Sequence, residues 1–429
     1  MKKLLKGFVL WLLRKLAWHR LQKFQGKVIA ITGSIGKTST KEAIFSVLNT
    51  KFRVQRSAGS MNSEFGLPLT ILEIESGFSS ARLWAWLLLK AFWHSLSKMH
   101  SDILLVELGV DKPGDMDELT ALVRPDIAVI TNIAPVHMDE GQFNTLESIF
   151  EEKSKLAYRI SENGKVLLNI DNPFLKHLAK NLPKKRILTY GRDADKVDFS
   201  ASGISQTIDG LAFRFNVFGR ENSHFEVKTG ILGKHNVYTL VPAIVIGLTL
   251  GMAPEEILQG INKFQLPPGR LNFVPAVKEA MFLDGSYNSS PEAVKAALET
   301  LAEIAGEKRK VAILGNMNEL GENSKKMHED IGEIIPATCD VLVSVGAQAR
   351  IFAQKAQEKG MPEKNIFTFK NVAEAIAGFG NILKEDDLVL VKGSQNNVRL
   401  ERLIKEFMRF PEEARDVLVR QEKEWALKI

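Results

Sequence analysis

Two glycines, a lysine and four hydroxyl residues occupy the run 32–39, TGSIGKTS, near the start of the chain. The apolar residues 28–31 before it predict a buried strand, and the residues from Thr40 to Leu48 predict a helix. A glycine turn between a strand and a helix binds phosphate well, because backbone N–H groups and the helix N-terminus meet the anion while lysine neutralises its charge. The predicted nucleotide-binding residues are Gly33, Gly36, Lys37, Thr38 and Ser39, with Thr38 also a Mg²⁺ ligand.

Ile31 stands where the full phosphate-loop motif has its first glycine. An ordinary strand–turn–helix corner therefore remains an alternative, although such a corner does not account for Lys37.

Polar residues also close several other predicted strands, and functional residues of open α/β sheets lie at such carboxyl ends. Glu107 ends ILLVE and is either a Mg²⁺ ligand or a solvated strand end. His137, in the loop after IAVITN, is a second ligand, a substrate contact or a structural histidine. Asp284 and Lys392 end MFLD and LVLVK. Lys153 lies in the charged run EEKSK, for which a solvated helix face is the ordinary interpretation.

Strand-like and helical stretches alternate along most of the chain, which predicts parallel sheets covered by helices. Residues 195–230 instead alternate polar and apolar side chains over short spans and predict antiparallel ribbons. The run LPPGR at 266–270 predicts a hinge between domains. The predicted fold class is α/β, with a central P-loop-type doubly wound domain at 27–265 and a Rossmann-like C-terminal domain at 266–429.

Composition sets limits on the class of protein. The chain has 429 residues, of which 45% are hydrophobic and 25% charged, as in ordinary globular proteins. Cys339 is the only cysteine, so an internal disulfide and a cysteine-based zinc site are excluded and a reducing cytoplasm is expected. The net charge of +6 is modest, and no basic stripe with stacking aromatics follows the first 27 residues, so no nucleic-acid partner is expected.

Five of the six tryptophans lie in two apolar segments, 4–18 and 83–96. Residues 1–26 predict a basic amphipathic helix, and residues from about 76 to 101 have the character of an apolar insertion. The two segments either pack together as a small satellite core or form an interfacial patch that touches the inner face of a membrane.

Nine ordered motifs between residues 27 and 405 resemble those of the Mur ligases, the ATP-dependent amide-forming enzymes of peptidoglycan precursor synthesis. They are TGSIGKTSTKE (32–42), GSMNSEFGLPLT (59–70), ELGVDKPGD (107–115), RPDIAVITNIAPVH (124–137), GKHN (233–236), PGRL (268–271), DGSYNSSP (284–291), GNMNELG (315–321) and LVKGS (390–394). Within the family the motifs are most similar to the branch that adds D-alanyl-D-alanine to a UDP-N-acetylmuramoyl-tripeptide.

The resemblance implies roles for individual residues. ATP and two Mg²⁺ ions would be bound, with Lys37 and Thr38 at the triphosphate, and Glu107 and His137 as metal ligands. Lys153 matches the family lysine that CO₂ carbamylates, which gives it an anionic group able to bind the second ion. Adenine, ribose and phosphates would be contacted by Asn236, Asp284 and Arg270 respectively. Contacts to the acceptor peptide or the incoming dipeptide are implied for Asn62, Tyr287, Asn288, Lys392, Gly393 and Ser394.

The resemblance also implies chemistry in which the acceptor carboxylate is phosphorylated to an acyl phosphate and then attacked by the dipeptide amine, with domain closure excluding water. The chain departs from the family in the 26 residues before Lys27, too few for the N-terminal UDP-sugar-binding domain, and at Thr239 and Gln395. Two alternatives therefore stay open: a ligase acting on another carboxylate, such as a lipid-linked one, and a non-catalytic nucleotide-binding scaffold.

Overall fold

A computed structural model of the chain describes residues 2–57, 62–75, 81–136, 138, 141–192, 197–219, 223–394, 398–422 and 425. The chain divides into two compact units. The first comprises Met1–Gly203, Phe213–Val227 and Val237–Phe264, and the second comprises Ile204–Ala212, Lys228–Asn236 and Gln265–Ile429.

Strands and helices alternate through the part of the chain that supplies the first sheet. The helices are α1 (Lys2–Leu21), α2 (Lys37–Leu48), α3 (Gly66–Leu72), α4 (Ala81–Leu96), α5 (Asp115–Thr120), α6 (Leu146–Tyr158), α7 (Pro173–Asn181), α8 (Val237–Thr249) and α9 (Pro254–Lys263). The strands are β1 (Lys27–Thr32), β2 (Val54–Arg56), β3 (Ile103–Glu107), β4 (Ile127–Ile130), β5 (Lys165–Asn169), β6 (Ile187–Arg192), β7 (Phe199–Thr207), β8 (Gly210–Val217) and β9 (Ser223–Thr229).

The nine strands form one sheet in the order β2-β3-β1-β4-β5-β6-β7-β8-β9. Strand β1 runs parallel to both neighbours, and its residue Ile31 pairs with Glu107 of β3. Two residues, Ile208 and Asp209, connect β7 to β8, and a connection of this length is typical of a hairpin turn. The phosphate-loop sequence thus leaves the sheet from an interior strand, beside the carboxyl ends of β3 and β4.

Alternate residues of the central strands face opposite sides of the sheet, and both sides are covered. Ala30 and Val106 belong to a core packed against α1, α3, α4, α5, α6 and α7. On the other side α2 packs against α8 and α9, and Gly260 lies so close to Val47 that a β-carbon would stand 2.4 Å from the Val47 Cα. Burial on both sides explains why these strands are continuous apolar runs.

The second unit contains a six-stranded sheet in the order β10-β11-β15-β12-β13-β14, parallel except for the antiparallel pair β10 and β11. Its strands are β10 (Asn272–Pro275), β11 (Met281–Asp284), β12 (Lys310–Gly315), β13 (Val341–Val345), β14 (Ile366–Phe369) and β15 (Leu388–Lys392). Its helices are α10 (Pro291–Ile304), α11 (Ser324–Thr338), α12 (Arg350–Glu358), α13 (Val372–Phe379), α14 (Glu401–Phe407) and α15 (Ala414–Val417).

The α/β class and the parallel sheets predicted from the sequence are confirmed. One boundary differs from the prediction, because α2 begins at Lys37 rather than at Thr40. Gly36 adopts the left-handed conformation (φ 84°) directly before it, so the turn ends sooner than the hydroxyl-rich sequence suggests. Within the described residues, every helix falls short of the length or the hydropathy needed to cross a bilayer.

Candidate active site

The phosphate loop connects β1 to α2 and is fixed to the neighbouring strand end. The Ser34 N–H donates to the Asn132 carbonyl at 2.7 Å, and the Thr131 hydroxyl donates to the Ile35 carbonyl at 2.6 Å. Gly33 has φ 144°, and a β-carbon there would stand 2.1 Å from the Thr131 hydroxyl oxygen. Only glycine fits this position, so the loop depends on a close approach between β1 and the β4 end.

Lys37 is the first residue of α2, and its side chain folds back over the loop. Its Nζ donates to the Gly33 carbonyl at 2.7 Å and to the Ser34 carbonyl at 3.3 Å. Thr38 and Ser39 follow on the first helical turn and are buried. The predicted phosphate-binding residues are therefore together on one loop, with a half-buried cation lying across it.

Glu107 ends β3 next to this loop and is 1% exposed, so its interpretation as a solvated strand end is wrong. Its Oε1 accepts a hydrogen bond from the Asn62 Nδ2 at 2.9 Å. Its Oε2 is buried and has no hydrogen-bond partner among the described residues. A buried carboxylate oxygen without a partner is costly unless a cation or donor occupies the site, so Glu107 fits the role of a Mg²⁺ ligand.

Lys153 lies on α6 and is 0% exposed, so the solvated helix face expected from EEKSK is wrong for this residue. The neighbouring Glu152 has its own partners, because its carboxylate accepts hydrogen bonds from the Met116 N–H at 2.7 Å and from the Lys155 Nζ at 2.8 Å. The Lys153 Nζ is buried and has no hydrogen-bond partner among the described residues.

Burial lowers the pKa of the Lys153 amine well below its usual value, and the positive charge of Lys37 lowers it further. The interaction with Lys37 places α6 and the phosphate loop within electrostatic reach of each other. A neutral amine is a nucleophile, whereas an ammonium group is not, so Lys153 fits the chemistry of carbamate formation with CO₂.

No group of three or more His, Cys, Asp or Glu residues forms a ready metal cluster in the part of the chain that the structure describes. His137, predicted as a metal ligand, lies outside those residues. The donors brought toward the loop are thus Thr38, Glu107 and the amine of Lys153, and the last becomes an oxygen donor only after carbamylation.

In the second unit the PGRL turn packs on the loop that follows β11. The Tyr287 N–H donates to the Gly269 carbonyl at 3.1 Å, and the Leu271 N–H donates to the Asp284 carbonyl at 2.6 Å. The Arg270 guanidinium lies 4.3 Å from the centre of the Tyr287 ring, and its Nε has no hydrogen-bond partner among the described residues. The Arg270 guanidinium thus packs on the Tyr287 ring in a cation–π contact.

Asp284 is fully buried at the end of β11. Its Oδ1 accepts from the Ser286 N–H at 2.9 Å, whereas its Oδ2 is buried and lacks a hydrogen-bond partner among the described residues. Burial raises the pKa of Asp284 to about 6. A free acceptor oxygen in this position can receive a hydroxyl donor from a ligand.

Lys392, at the end of the adjacent strand β15, donates to the Asn288 carbonyl at 2.9 Å and to the Gly285 carbonyl at 3.3 Å. Burial, and then the charge of Arg270, lower its pKa to about 8. Ser394 receives the Asn318 N–H at 2.9 Å. A β-carbon on Gly393 would stand 3.0 Å from the Leu400 side chain. The predicted Asn288, Lys392, Gly393 and Ser394 therefore belong to one group of loops.

Asn236 is buried, and its amide donates to the Leu232 carbonyl at 2.6 Å, so it also holds its own loop. Its neighbour His235 has a pKa lowered to about 4 by packing and by the charge of Lys392. The GKHN segment is thereby placed near the carboxyl end of β15 within the second unit.

Two positioning groups were not recognised in the sequence. Glu401 is fully buried and receives both Arg399 and Arg420, while Arg420 also donates to the carbonyls of Ser286 and Tyr287. Lys41 is fully buried and donates to the Ser57 carbonyl at 2.7 Å, two residues before the predicted substrate loop 59–70. The sequence signal for Lys41 was the Lys-Glu pair at 41–42, whereas no local sequence pattern marks Glu401 and its two arginines.

Most of the chain matches known proteins. Residues 31–247 match the Mur ligase middle domain and residues 269–395 match the Mur ligase, glutamate ligase domain. The chain is 30% identical over 400 residues to the UDP-N-acetylmuramoyl-tripeptide–D-alanyl-D-alanine ligase of Bacillus subtilis, covering 93% of this chain and 79% of that protein. It is similar to crystal structures of MurF from Acinetobacter baumannii (TM-score 0.75, 27% identity, 91% and 79% coverage) and of MurF from Thermotoga maritima in complex with ADP (TM-score 0.75, 27% identity, 95% and 84% coverage).

Proposed function

The chain belongs to the Mur ligase family, and from this premise we propose that it joins D-alanyl-D-alanine to the peptide of a UDP-N-acetylmuramoyl-tripeptide. It is an ATP-dependent ligase that forms an amide bond. The proposed substrates follow from the similarity to the Bacillus subtilis enzyme over 93% of this chain.

One structural observation supports catalysis rather than a scaffold role. Beside the phosphate loop, the Glu107 carboxylate and the Lys153 amine are both buried, and each has a polar atom without a hydrogen-bond partner among the described residues. Burying such atoms destabilises a protein by roughly 1–3 kcal/mol each. Two such costs at one loop are expected where ligands occupy the site during function.

In the proposed mechanism Gly33, Gly36, Lys37, Thr38 and Ser39 hold the triphosphate of ATP. Thr38, Glu107 and His137 would hold Mg²⁺, which neutralises phosphate charge when it is bound. Lys153 would carry the carbamate and so contribute an anionic oxygen ligand for a second ion. Lys37 brings its cation to the γ-phosphoryl group, which reduces the repulsion between that group and the acceptor carboxylate.

A carboxylate is a poor electrophile, because its negative charge resists attack by an amine. Transfer of the γ-phosphoryl group to the acceptor carboxylate forms an acyl phosphate and releases ADP. The dipeptide amine then attacks the acyl carbon, a tetrahedral intermediate forms, and inorganic phosphate leaves as the amide is made. The loops must exclude water, since water would otherwise hydrolyse the acyl phosphate.

The remaining predicted residues divide between nucleotide and peptide. We assign adenine to Asn236, ribose to Asp284 and phosphate to Arg270, whose guanidinium is oriented by the Tyr287 ring. Asn62, which contacts Glu107, is assigned to the acceptor peptide. The group assigned to substrate peptide in the second unit is Tyr287, Asn288, Lys392, Gly393 and Ser394.

The deciding experiment combines the purified full chain with ATP, Mg²⁺, UDP-muramoyl-tripeptide and D-alanyl-D-alanine. Release of phosphate and a product with the mass of the joined peptide are expected, and both should require every component. Phosphate release without joined product, with this and with other amines, would remove the ligase proposal.

A lipid-linked acceptor is the second candidate, and the exposed aromatic side chains of α1 and α4 favour it. These side chains also support a peripheral contact with the inner membrane face. Substituting a lipid-linked muropeptide for the UDP-linked acceptor in the same assay separates the two acceptors, since only the true acceptor gives product at low concentration.

We expect ADP affinity to depend on the charge of Asp284. As the pH falls from about 7.5 to about 5, a carboxyl with a pKa of about 6 becomes protonated and loses the negative charge that strengthens its hydrogen bond from a ribose hydroxyl. Lys392, with a pKa of about 8, stays protonated in this interval, and His235, with a pKa of about 4, stays neutral. Isothermal titration calorimetry should show ADP binding weakening several-fold.

The Asp284→Asn variant is the control, because phosphate groups of ADP titrate in the same interval. It should bind ADP about tenfold more weakly near pH 7.5 and lose the part of the pH dependence that belongs to the protein. Parallel pH profiles for the two proteins would contradict the ribose contact.

A further inference from the structure

Exposed hydrophobic side chains are concentrated on two helices of the first unit. Nine of the fourteen large hydrophobic side chains exposed in the described chain lie on α1 and α4, among them Trp11 at 55% and Trp93 at 63% exposure. We define the aromatic face as Phe8, Trp11, Trp18, Trp86, Leu89 and Trp93. Patches of this kind on a folded protein mark interaction sites.

The aromatic face follows helical periodicity on both helices. Phe8, Trp11 and Trp18 recur with spacings of three and seven on α1, and Trp86, Leu89 and Trp93 recur with spacings of three and four on α4. Residues with this spacing share one side of a helix. The exposure is therefore a continuous stripe on each helix rather than a scatter of single residues.

The opposite sides of the same helices already satisfy the fold. Leu13 and Ala17 of α1 and Leu87 and Ala91 of α4 are buried in the core of the first unit. The Lys23 Nζ joins the helix ends by donating to the Leu96 carbonyl at 3.1 Å. The two helices therefore pack together, but within the main core of the first unit rather than as a separate satellite core, and their outward sides remain exposed.

Charge on these helices is of one sign. Together α1 and α4 contain eight Lys and Arg and no Asp or Glu, whereas the whole chain has a net charge of +6. The rest of the chain is therefore net negative. Exposed Lys15 lies between Trp11 and Trp18 in the α1 stripe, and the Lys90 Nζ lies 5.6 Å from the Trp86 ring centre.

We propose that the aromatic face is a docking surface for a bilayer that contains anionic lipid. Tryptophan prefers the headgroup region, lysine can extend from it to phosphate groups, and clustered cations are attracted to anionic lipid. A second copy of the same face fits less well, because twofold pairing would bring the Lys15 and Lys90 cations of both copies into one interface. This inference rests on the proposed function, and it names anionic lipid as the partner for the peripheral membrane contact of the ligase.

The two helices also contact the segment that follows Asn62, the residue assigned to the acceptor peptide. Phe65 lies between the helices, with the Lys6 Nζ 5.2 Å from its ring centre and the Trp84 ring centre 6.4 Å away. Phe65 is three residues from Asn62, the residue assigned to the acceptor peptide. Phe65 and Trp84 both pack against the core of the first unit, so this contact joins the segment after Asn62 to the inward side of the two helices.

Co-sedimentation of the full chain with phosphatidylcholine vesicles, with and without roughly one-third phosphatidylglycerol, tests the proposal. We expect binding to the anionic vesicles that weakens as salt rises from about 0.1 M to about 0.5 M, together with a blue shift of tryptophan fluorescence. The double variant Trp11→Ala/Trp93→Ala should bind about tenfold or more weakly, and Lys15→Glu should lose part of the salt dependence.

The matched control is Tyr158→Ala/Phe410→Ala, which removes two exposed aromatic rings outside the aromatic face and should bind like the parent protein. Equal pelleting of the parent and the Trp11→Ala/Trp93→Ala variant, or salt-independent binding to neutral vesicles, would overturn the proposal. The proposal would also be overturned if sedimentation velocity showed a dimer that the Trp11→Ala/Trp93→Ala variant abolishes and the parent protein did not bind vesicles. Ligation is measured separately without vesicles, so loss of activity with vesicle binding retained would refute the proposed function alone.

Discussion

Replacing Lys37 with alanine is expected to reduce ligation by at least about 10³-fold, measured as phosphate release and as joined product. The Lys37 Nζ lies across the loop, 2.7 Å from the Gly33 carbonyl, and in the proposed mechanism its cation neutralises the γ-phosphoryl group during transfer. Alanine is a good helix former at the start of α2, so the fold should remain and the loss should appear in kcat.

The control for this change is Lys176→Ala, which removes an exposed lysine from α7 and should leave turnover unchanged. Lys37→Arg keeps the charge but not the compact ammonium geometry and should recover only a small part of the activity. Near-normal turnover by Lys37→Ala would mean that the phosphates are bound elsewhere.

Replacing Lys153 with alanine should lower ligation by about 10²- to 10⁴-fold, and added formate or acetate should restore part of it. The reason is that the side chain is fully buried and that burial lowers the pKa of its amine, which favours the neutral form that reacts with CO₂. A small carboxylate can enter the space left by the lysine and supply the missing oxygen ligand. Lys155→Ala, two residues further on α6, is the matched control and should show no rescue.

An independent measurement does not depend on turnover. After incubation with ¹³C-bicarbonate, the parent protein should show a carbamate carbon signal that Lys153→Ala lacks. Because an unpaired buried amine is destabilising, Lys153→Met should also unfold at a higher temperature than the parent while being inactive. Full activity of the alanine variant would exclude the carbamate.

The sequence was sufficient for features that repeat along the chain. Parallel strands were predicted because buried strands such as 103–107 and 388–392 are uninterrupted apolar runs, and Glu107 and Lys392 end them as expected. The phosphate-loop sequence could be located because two glycines and Lys37 stand between an apolar strand and a helix, and in the structure both glycines have positive φ angles.

Features that depend on long-range packing were beyond the sequence. The charged run around Lys153 is typical of a solvated helix, and only the packing of α6 against α5 shows that this one lysine points inward. The pairing of Glu401 with Arg420 joins residues 19 positions apart, and the carbonyls that Arg420 reaches lie 134 and 133 positions before it in the chain. Neither distance leaves a local pattern.

The contact between Arg420 and Tyr287 can form only late in the synthesis of the chain. Tyr287 leaves the ribosome 133 residues before the arginine that holds its carbonyl. At an elongation speed of about 5–20 residues per second this interval is on the order of ten seconds. During that time a nascent chain already contains its phosphate loop but lacks the brace for the loop after Asp284. In the proposed mechanism Asp284 and Tyr287 take part in substrate binding, so we expect incomplete chains on polysomes to consume little ATP.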